Sequence, residues 1–250
     1  MKFTAFPAKL ARRLLRWAED LETGPPACMR RGRVDCYATV KALHRLTPGP
    51  LHVLYDVGAN RGSWAQVFAA FFPELRHAVM FEPGTHWQAD LQALRLNDAT
   101  ITIAPVALGR APGTAMLAGG GASASLLPAG TMQEQFFPGS LDETRQPVAV
   151  ETLNGWVSAH AAPTPDLVKI DVQGAELDVL TGAEQTLQSC RWLVIELSAV
   201  SLYEGQPRAG AVLDWLEQRG WRMAGIGYRW ESVAHELLQF DAILTRRPPR

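Results

Sequence analysis

Cysteine is scarce in this sequence, and the cysteines that occur are not arranged for redox or metal chemistry. Cys28, Cys36 and Cys190 form no paired framework, and no spacing among them matches a zinc-ligand motif. We therefore expect no bound metal and no disulfide scaffold. Buried structural thiols in a reducing compartment fit this pattern better.

Long hydrophobic runs are also missing. The N-terminus carries Lys2 and is interrupted at Pro7, after which the chain continues as a charged amphipathic stretch. No apolar run is long enough for the core of a signal peptide or for a transmembrane helix. The sequence therefore predicts a cytoplasmic protein without a membrane span.

The sequence also lacks a strong excess of positive or negative charge. The 24 Lys and Arg residues nearly balance the 25 Asp and Glu residues, which leaves a formal net charge of -1. Nucleic-acid-binding proteins usually carry a basic excess, so we expect no nucleic-acid partner. Positive charge is concentrated locally at Arg12, Arg13, Arg16, Arg30, Arg31 and Arg33. We interpret these clusters as solvated helix faces in preference to a membrane or partner surface.

The chain does contain enough apolar material for one large domain. It has 250 residues, of which 47% are hydrophobic and 20% are charged. Residues 1–50 predict a helical extension with helices at Ala8–Leu21 and Asp35–Leu46. Residues 51–250 predict the main domain, without an internal repeat.

In the main domain, short apolar runs alternate with stretches of helical periodicity. The strands are expected at Leu51–Val57, Ala78–Phe81, Ile101–Leu108, Val148–Thr152, Leu167–Val172, Trp192–Leu197, Arg222–Trp230 and Leu237–Thr245. The helices are expected at Trp64–Phe72, Trp87–Leu96, Asn154–His160, Ala175–Leu187 and Ala209–Arg219. This alternation predicts an α/β fold with a doubly wound, mostly parallel sheet. The last two strands have no helix between them and predict a C-terminal antiparallel hairpin.

The regular pattern fails between Gly109 and Gly139. Glycines and prolines interrupt this segment, which we expect to be a long loop with one short strand near Thr114–Leu117. A lid or substrate loop and plain disorder are both open interpretations. After the loop, Asn154 stands where an N-cap is expected.

The first motif with chemical content runs from Leu54 to Gly62, directly after a strand and before a helix. Gly58 and Gly62 allow a sharp turn and a close approach of a ligand. Asp56 precedes the first glycine, and the following helix presents its N-terminus to the same cleft.

The residues in and after this loop distinguish between cofactors. A dinucleotide site would show G-x-G-x-x-G, but Asn60 replaces the second glycine and Ser63 the third. The added negative charge of Asp56 suits a ligand with an ammonium and a sulfonium group better than a diphosphate. Glu82, at the end of the second strand, can accept hydrogen bonds from both hydroxyls of a ribose, and Pro83 fixes the turn behind it.

A second motif runs from Asp166 to Glu176. Side chains alternate along a strand, so Lys169 and Asp171 should point the same way at the carboxyl end of the sheet. Burial of this pair is costly unless the two groups pair or line a site. Glu176 either complements the dipole of the next helix or belongs to the site.

The ordered set of motifs resembles the FkbM-type methyltransferases. The matching segments are Asp56-Val57-Gly58-Ala59-Asn60-x-Gly62, Glu82-Pro83, Val106-Ala107-Leu108-Gly109, Thr152-Leu153, Lys169-Ile170-Asp171-Val172-Gln173-Gly174-Ala175-Glu176, Ile195-Glu196-Leu197, Leu202-Tyr203-Glu204-Gly205 and Asp241. The resemblance implies a seven-stranded class I methyltransferase (Rossmann-like) sheet and S-adenosyl-L-methionine as the cofactor. The resemblance does not extend to the N-terminal fifty residues or to the Gly119–Gly139 loop. These are the regions where the choice of methyl acceptor would be determined.

The resemblance also implies roles for particular residues. The amino-acid part of S-adenosylmethionine would be cradled by Asp56, Gly58, Asn60 and Gly62. Glu82 would hold the ribose, and Ala107 and Leu108 would lie near the adenine. Family members typically methylate hydroxyl oxygens of sugars or natural products. Asn154 departs from the aspartate that is usual in the family, and we expect only a cap substitution there.

The proposed reaction needs a group that takes or orients the hydroxyl proton during attack on the methyl carbon. We assign this role to Asp171, with Lys169 holding Asp171 ionised or steadying the alkoxide. His86 is a weaker candidate base. A cation between Asp171 and Glu196 is less favoured.

In the C-terminal hairpin, Tyr228 and Trp230 share one face of a strand, and their aromatic rings could stack on a sugar.

Two other functions are compatible with part of the pattern. A nicotinamide-dependent oxidoreductase would need the missing glycines, and a non-catalytic nucleoside-binding module would not need Asp171. The sequence leaves open the methyl acceptor, the need for a divalent metal and whether the chain forms a homo-oligomer.

Overall fold

Apolar runs that are buried on both faces form the centre of the protein. The computed structural model describes residues 34–137, 139–140 and 143–246. Tyr55 and Ile170 are fully buried in one layer of the core, and Leu54 is fully buried on the other face of the same strand as Tyr55. Strands with two buried faces need covering layers on both sides, and helices supply them.

The main sheet has seven strands. In chain order they are β1 Val53–Val57, β2 His77–Phe81, β3 Thr100–Ala104, β7 Leu167–Ile170, β8 Trp192–Ser198, β9 Trp221–Glu231 and β10 Leu237–Arg246. Their spatial order is β3-β2-β1-β7-β8-β10-β9, and all neighbours are parallel except at β10. The predicted doubly wound, mostly parallel sheet with a C-terminal antiparallel hairpin is confirmed. The structure adds that β10 lies between β8 and β9, which leaves β9 at the edge.

The helices follow the predicted order with some changes of length. They are α1 Val34–Leu46, α2 Ser63–Phe71, α3 Gln88–Ala93, α4 Thr131–Phe136, α5 Leu153–His160, α6 Glu176–Gly182, α7 Glu184–Gln188 and α8 Ala209–Gln218. The single helix expected over Ala175–Leu187 is wrong, because the chain breaks at Ala183 into two short helices. The expected left-handed cap at Gly220 is confirmed, with φ at 83°.

The third predicted strand, Ile101–Leu108, is also corrected. Strand β3 ends at Ala104, and β4 Ala107–Leu108 belongs to a second sheet. The other two members of this sheet are β5 Gly113–Ala118 and β6 Arg145–Glu151, and the spatial order is β4-β6-β5. Pro105 has no N–H group to extend the ladder of β3, so the strand stops there.

The segment between Gly109 and Gly139 is more ordered than expected. It contains β5, a bridge between Ala118 and Ser125, and helix α4. Two backbone hydrogen bonds hold it against the chain after β8, from Gly130 N to the Leu202 carbonyl and from Glu204 N to the Pro128 carbonyl. The interpretation of plain disorder is therefore wrong for the described part of this segment.

The expected N-cap at Asn154 is wrong as well. Thr152 caps α5 by accepting a hydrogen bond from Gly155 N at 3.0 Å. The Asn154 side chain instead accepts hydrogen bonds from Thr186 N at 2.8 Å and from the Thr186 hydroxyl at 2.9 Å. It thus satisfies a free amide in the first turn of α7, a role that only the packing of two helices creates.

Helix α1 packs on the sheet. Its residues Val40 and Leu43 are fully buried, and Thr39 contacts the hairpin at Asp241 and Tyr228. The expected helix Ala8–Leu21, the arginine clusters and Cys28 lie outside the described residues. The division of the chain at residue 50 stays a prediction.

Two bulk expectations concern thiols and membranes. Cys36 and Cys190 are free thiols. None of the helices that the structure describes has the length and apolar character needed to cross a membrane.

Candidate active site

The turn after β1 adopts the sharp geometry that its glycines predict. Gly58, Asn60 and Gly62 have φ angles of 76°, 51° and 78°, in the left-handed region. This turn leads directly into α2, so residues 58–62 form a compact loop at the carboxyl end of the sheet.

Every backbone N–H group in this loop is used within the protein. Gly58 N and Ala59 N both donate to the Phe81 carbonyl at 3.0 Å, and Gly62 N donates to the Ala59 carbonyl at 2.8 Å. Asn60 N donates to Glu82 Oε2 at 2.8 Å, and Arg61 N donates to Asn60 Oδ1 at 2.7 Å. The loop therefore keeps no amide for the phosphate oxygens that a dinucleotide would present.

Glu82 connects the ends of the first two strands. Its Oε2 accepts from Asn60 N, and its Oε1 accepts from Gly84 N at 2.7 Å. Burial raises the pKa of Glu82, and the two N–H donors oppose that rise. Each carboxylate oxygen has two lone pairs, so Glu82 keeps acceptor capacity for ligand hydroxyls.

The packing of the protein requires glycine at positions 58 and 62, independently of any ligand. A Cβ at Gly58 would lie 1.8 Å from the Asp171 carbonyl oxygen, and one at Gly62 would lie 2.7 Å from Leu94 Cδ2. Gly58 thus allows β1 and the end of β7 to approach closely, which sets the position of Asp171.

Lys169 is the cation of the site, and it is almost entirely buried. Its Nζ lies 3.2 Å from Asp171 Oδ2, 3.5 Å from Asp56 Oδ1 and 3.4 Å from the Gly58 carbonyl. Burial lowers the pKa of Lys169, but Asp171 and Asp56 outweigh this effect and raise the pKa above its usual value. Lys169 therefore stays protonated and holds the two acids together.

Asp56 lies beneath the loop and has no exposed surface. Lys169 is its ion-pair partner, with Nζ 3.5 Å from Asp56 Oδ1. Burial raises the pKa of Asp56 to about 6, and Lys169 opposes that rise. Its contact with Lys169 suggests an indirect role.

Three acidic side chains lie side by side across the carboxyl end of the sheet. Asp171 follows β7, Glu196 is on the neighbouring β8, and Asp241 is its cross-strand partner on β10. Burial, followed by the charges of Asp171 and Asp241, raises the pKa of Glu196 well above its ordinary value. Burial raises the pKa of Asp241 to about 7, while a hydrogen bond from Thr39 opposes that rise. We call Asp171, Glu196 and Asp241 the acidic row.

Gln173 links two members of the acidic row, and the sequence analysis assigned it no role. Its Nε2 donates to Asp171 Oδ1 at 2.7 Å and to Glu196 Oε2 at 2.8 Å. The Tyr203 hydroxyl donates to Gln173 Oε1 at 3.2 Å, and the Ser125 hydroxyl donates to the Gln173 carbonyl at 2.6 Å. The segment 109–139 thus reaches the site through Ser125.

The remaining candidates are placed less centrally. Ala107 and Leu108 are buried in β4. This strand begins three residues after Ala104, whose carbonyl accepts a hydrogen bond from Glu82 N at 3.1 Å. His86 is exposed, and its ring contacts Trp87 at 4.5 Å between centroids. Glu176 is buried and accepts from Gly174 N at 2.9 Å, so it stabilises the turn that carries Gln173. Pro83 is half-buried directly after Glu82.

Metal ligation is not supported by a cluster of donors. In the part of the chain that the structure describes, no group of three or more His, Cys, Asp or Glu side chains is arranged to hold a metal ion. Between Asp171 and Glu196, the place considered for a cation, lies the amide of Gln173.

Comparison with known proteins identifies related sequences. The sequence model of a family described as the methyltransferase FkbM domain matches residues 56–223. The 2-O-methyltransferase NoeI of Sinorhizobium fredii is 44% identical over 72 residues, which are 28% of this chain and 30% of that protein. The hexuronic acid methyltransferase AglP of Haloferax volcanii is 28% identical over 154 residues, 59% of this chain and 56% of that protein. The chain thus matches less than two thirds of the length of either relative.

A comparison of folds gives a broader match. The cofactor-bound structure of Rv0187 from MTB has a TM-score of 0.51 and 12% identity, covering 99% of this chain and 94% of that chain. At this identity the likeness concerns the fold alone.

Proposed function

The chain belongs to the FkbM methyltransferase family, and from this we propose that it transfers a methyl group from S-adenosyl-L-methionine to a hydroxyl oxygen. The acceptor would be a sugar, a glycan or a natural product. The observation that carries the cofactor assignment is the loop 58–62, whose amides are all used internally while Glu82 lies beside it. Such a site favours a ligand that donates hydroxyls and carries positive charge over a diphosphate.

The residues present fit S-adenosylmethionine. Glu82 would accept hydrogen bonds from the ribose hydroxyls, with Pro83 fixing the turn behind it. The loop containing Gly58, Asn60 and Gly62 would hold the amino-acid part. The chain at Ala107 and Leu108, close to Glu82, would border the adenine. When bound, this cofactor supplies a methyl group that is activated by its sulfonium.

Asp171 is the proposed catalytic residue. It lies at the carboxyl end of β7, where open α/β sheets place their ligands, and its side chain is 30% exposed. One of its oxygens faces Lys169 and the other faces Gln173. This orientation allows Asp171 to accept the proton of an acceptor hydroxyl as the oxygen attacks.

Lys169 and Asp56 would act through Asp171. Lys169 is 6% exposed, so its ammonium group contacts Asp171 and is largely shielded from a bound acceptor. The contact of Lys169 Nζ with Asp171 Oδ2, at 3.2 Å, holds the carboxylate of the proposed base in one orientation. We therefore propose Lys169 as a positioning residue, with Asp56 as its buried counter-ion.

The named activities of the two relatives support a carbohydrate acceptor. One relative is named as a 2-O-methyltransferase and the other as a hexuronic acid methyltransferase. The cytoplasmic location, the absence of a nucleic-acid partner and the formation of a homo-oligomer stay predictions.

Calorimetry tests the cofactor site. We expect S-adenosylmethionine to bind the wild-type chain and NAD not to bind. Glu82→Gln should weaken S-adenosylmethionine binding about 10- to 100-fold, because an amide NH₂ would replace one acceptor oxygen and face the N–H group of Asn60 or Gly84. Glu74→Gln, at an exposed residue before β2, is the control and should bind like the wild type. Undiminished binding by Glu82→Gln, or binding of NAD alone, would contradict the assignment.

A further inference from the structure

S-adenosylmethionine carries one anionic group, the carboxylate of its amino-acid part, and the loop 58–62 has no free N–H group to bind it. Glu82 is an acceptor and suits the ribose hydroxyls. Lys169 is 6% exposed and lies between Asp171 and Asp56. The carboxylate of the cofactor therefore needs donors outside the loop.

Helix α2 begins directly after this loop and has such donors at its N-terminus. The helix is nine residues long, it follows Gly62 without a side-chain cap, and its first turn contains no acidic residue. Gln66 N donates to the Gly62 carbonyl at 3.1 Å, whereas the amides of Ser63 and Trp64 have no acceptor among the described residues. Two N–H groups and the positive end of the helix dipole are thus available to an anion.

The side chain of Trp64 is an independent sign of a ligand group at this place. Trp64 is 6% exposed, and its indole Nε1 is buried without a hydrogen-bond partner. The indole nitrogen can only donate, so it needs an acceptor. Buried tryptophan N–H groups usually have one, because an unpaired buried donor costs free energy.

The Trp64 ring lies at the end of α2 that adjoins the loop. It stacks on Phe68, with 5.5 Å between centroids and 15° between planes, and Phe68 stacks on Phe72 at 4.5 Å. This stack follows the helix, and Trp64 is its N-terminal member. Side chains of a helix also tilt toward its N-terminus. The indole donor and the two free amides therefore belong to the same first turn.

We propose that the carboxylate of S-adenosylmethionine binds at the N-terminus of α2, where it accepts hydrogen bonds from the amides of Ser63 and Trp64 and from the Trp64 indole. This inference rests on the proposed function and adds the partner of one group of its cofactor. It makes Trp64 a cofactor-binding residue.

The test compares two ligands that differ only in the carboxylate. Calorimetry measures the binding of S-adenosylmethionine and of decarboxylated S-adenosylmethionine, which keeps the sulfonium, the ammonium and the nucleoside. We expect the wild-type chain to bind the decarboxylated form about tenfold or more weakly, because charge-assisted hydrogen bonds are lost. Equal affinities would overturn the proposal.

Variants assign the preference to Trp64. Trp64→Phe keeps a ring to stack on Phe68 and removes the indole N–H, so it should weaken S-adenosylmethionine binding about tenfold and leave the decarboxylated form unaffected. Trp192→Phe is the matched control, since Trp192 at the start of β8 also has a buried indole Nε1 without a partner. It should leave both affinities unchanged.

Arg61 is the alternative partner of the carboxylate. It is exposed, and its guanidinium lies 4.6 Å from the centroid of the Trp87 ring. Arg61→Gln should retain most of the preference for S-adenosylmethionine. Loss of the preference in Arg61→Gln but not in Trp64→Phe, or an equal loss of both ligands in Trp64→Phe, would refute the role of Trp64.

NMR of the wild-type chain gives a readout that does not depend on the folding of a variant. The eight tryptophans are labelled with nitrogen-15 in the indole ring. One indole proton should shift downfield with S-adenosylmethionine and not with the decarboxylated form. Identical indole spectra with the two ligands would contradict the proposed contact.

Failure of this inference is distinguishable from failure of the proposed function. Binding of S-adenosylmethionine without preference over the decarboxylated form would overturn the carboxylate site and leave the methyltransferase assignment intact. No binding of either form would overturn both.

Discussion

At the scale of single residues, the site depends on side chains that form ion pairs and hydrogen bonds with one another. Lys169 lies between Asp56 and Asp171, and Gln173 lies between Asp171 and Glu196. Both contacts place hydrogen-bond donors on the two oxygens of Asp171. The proposed base is therefore held in one orientation, and one lone pair on each oxygen is left for a substrate.

Replacement of Gln173 by Leu tests this arrangement. The change removes both hydrogen bonds at similar side-chain volume, so the pKa of Glu196, which burial already raises, should rise further. We expect kcat to fall at least tenfold and the rising limb of the pH–rate profile to move to higher pH. Gln185→Leu, at an exposed residue of α7, is the control. A lower rate with an unmoved pH profile would indicate a merely structural role for Gln173.

At the scale of elements, the close approach of β1 and β7 sets the geometry. Gly58 lies where a side chain would collide with the Asp171 backbone, and its φ is positive. The loop after β1 and the turn after β7 are thereby fixed relative to each other. The segment 109–139 adds a further restraint through Ser125, which holds the Gln173 backbone.

Gly58→Ala should be much more harmful than alanine at another glycine with a similar backbone conformation. Gly220 has φ at 83° and open space around its Cα, so Gly220→Ala should cost about 1–2 kcal/mol from backbone strain alone. Gly58→Ala adds a steric conflict, for a total of about 3 kcal/mol or more. Urea denaturation of both variants measures the difference. Equal costs would show that contact with Asp171 does not constrain β1.

At the scale of the whole molecule, several carboxyl groups are buried, and among the described residues Lys169 is the buried basic side chain. Burial raises the pKa of Asp56 to about 6 and those of Glu176 and Asp241 to about 7. In the folded chain these groups therefore bind protons at pH values where the unfolded chain has released them. Their contribution to stability is full below their unfolded pKa values and is lost as pH rises through the folded values.

The free energy of unfolding should consequently fall between pH 5 and pH 8. Glu176 is 4% exposed, and its Gln variant keeps an acceptor for Gly174 N. Glu176→Gln should reduce the fall by up to about 3 kcal/mol, since one pKa unit is worth about 1.4 kcal/mol. Urea titrations at both pH values give this slope, with the exposed Glu217→Gln as control. A slope unaltered by Glu176→Gln would mean that this carboxyl is ionised in the folded state.

The sequence by itself determined the sheet class, most strands and helices and the residue types of the site. Periodicity is a local property, and the glycine turn, Glu82 and the pair Lys169 and Asp171 are each visible within a few positions. The family assignment followed from the same ordered motifs and is confirmed by the match over residues 56–223.

Only the tertiary structure decided which distant groups meet. Gln173 and Glu196 are 23 positions apart and Thr39 and Asp241 are 202 apart, so no local pattern reveals that they pair. The cap supplied by Asn154 to another helix has the same origin. Strand order and helix packing bring remote residues together, and a hydrogen bond then forms wherever a buried polar group would otherwise lack a partner.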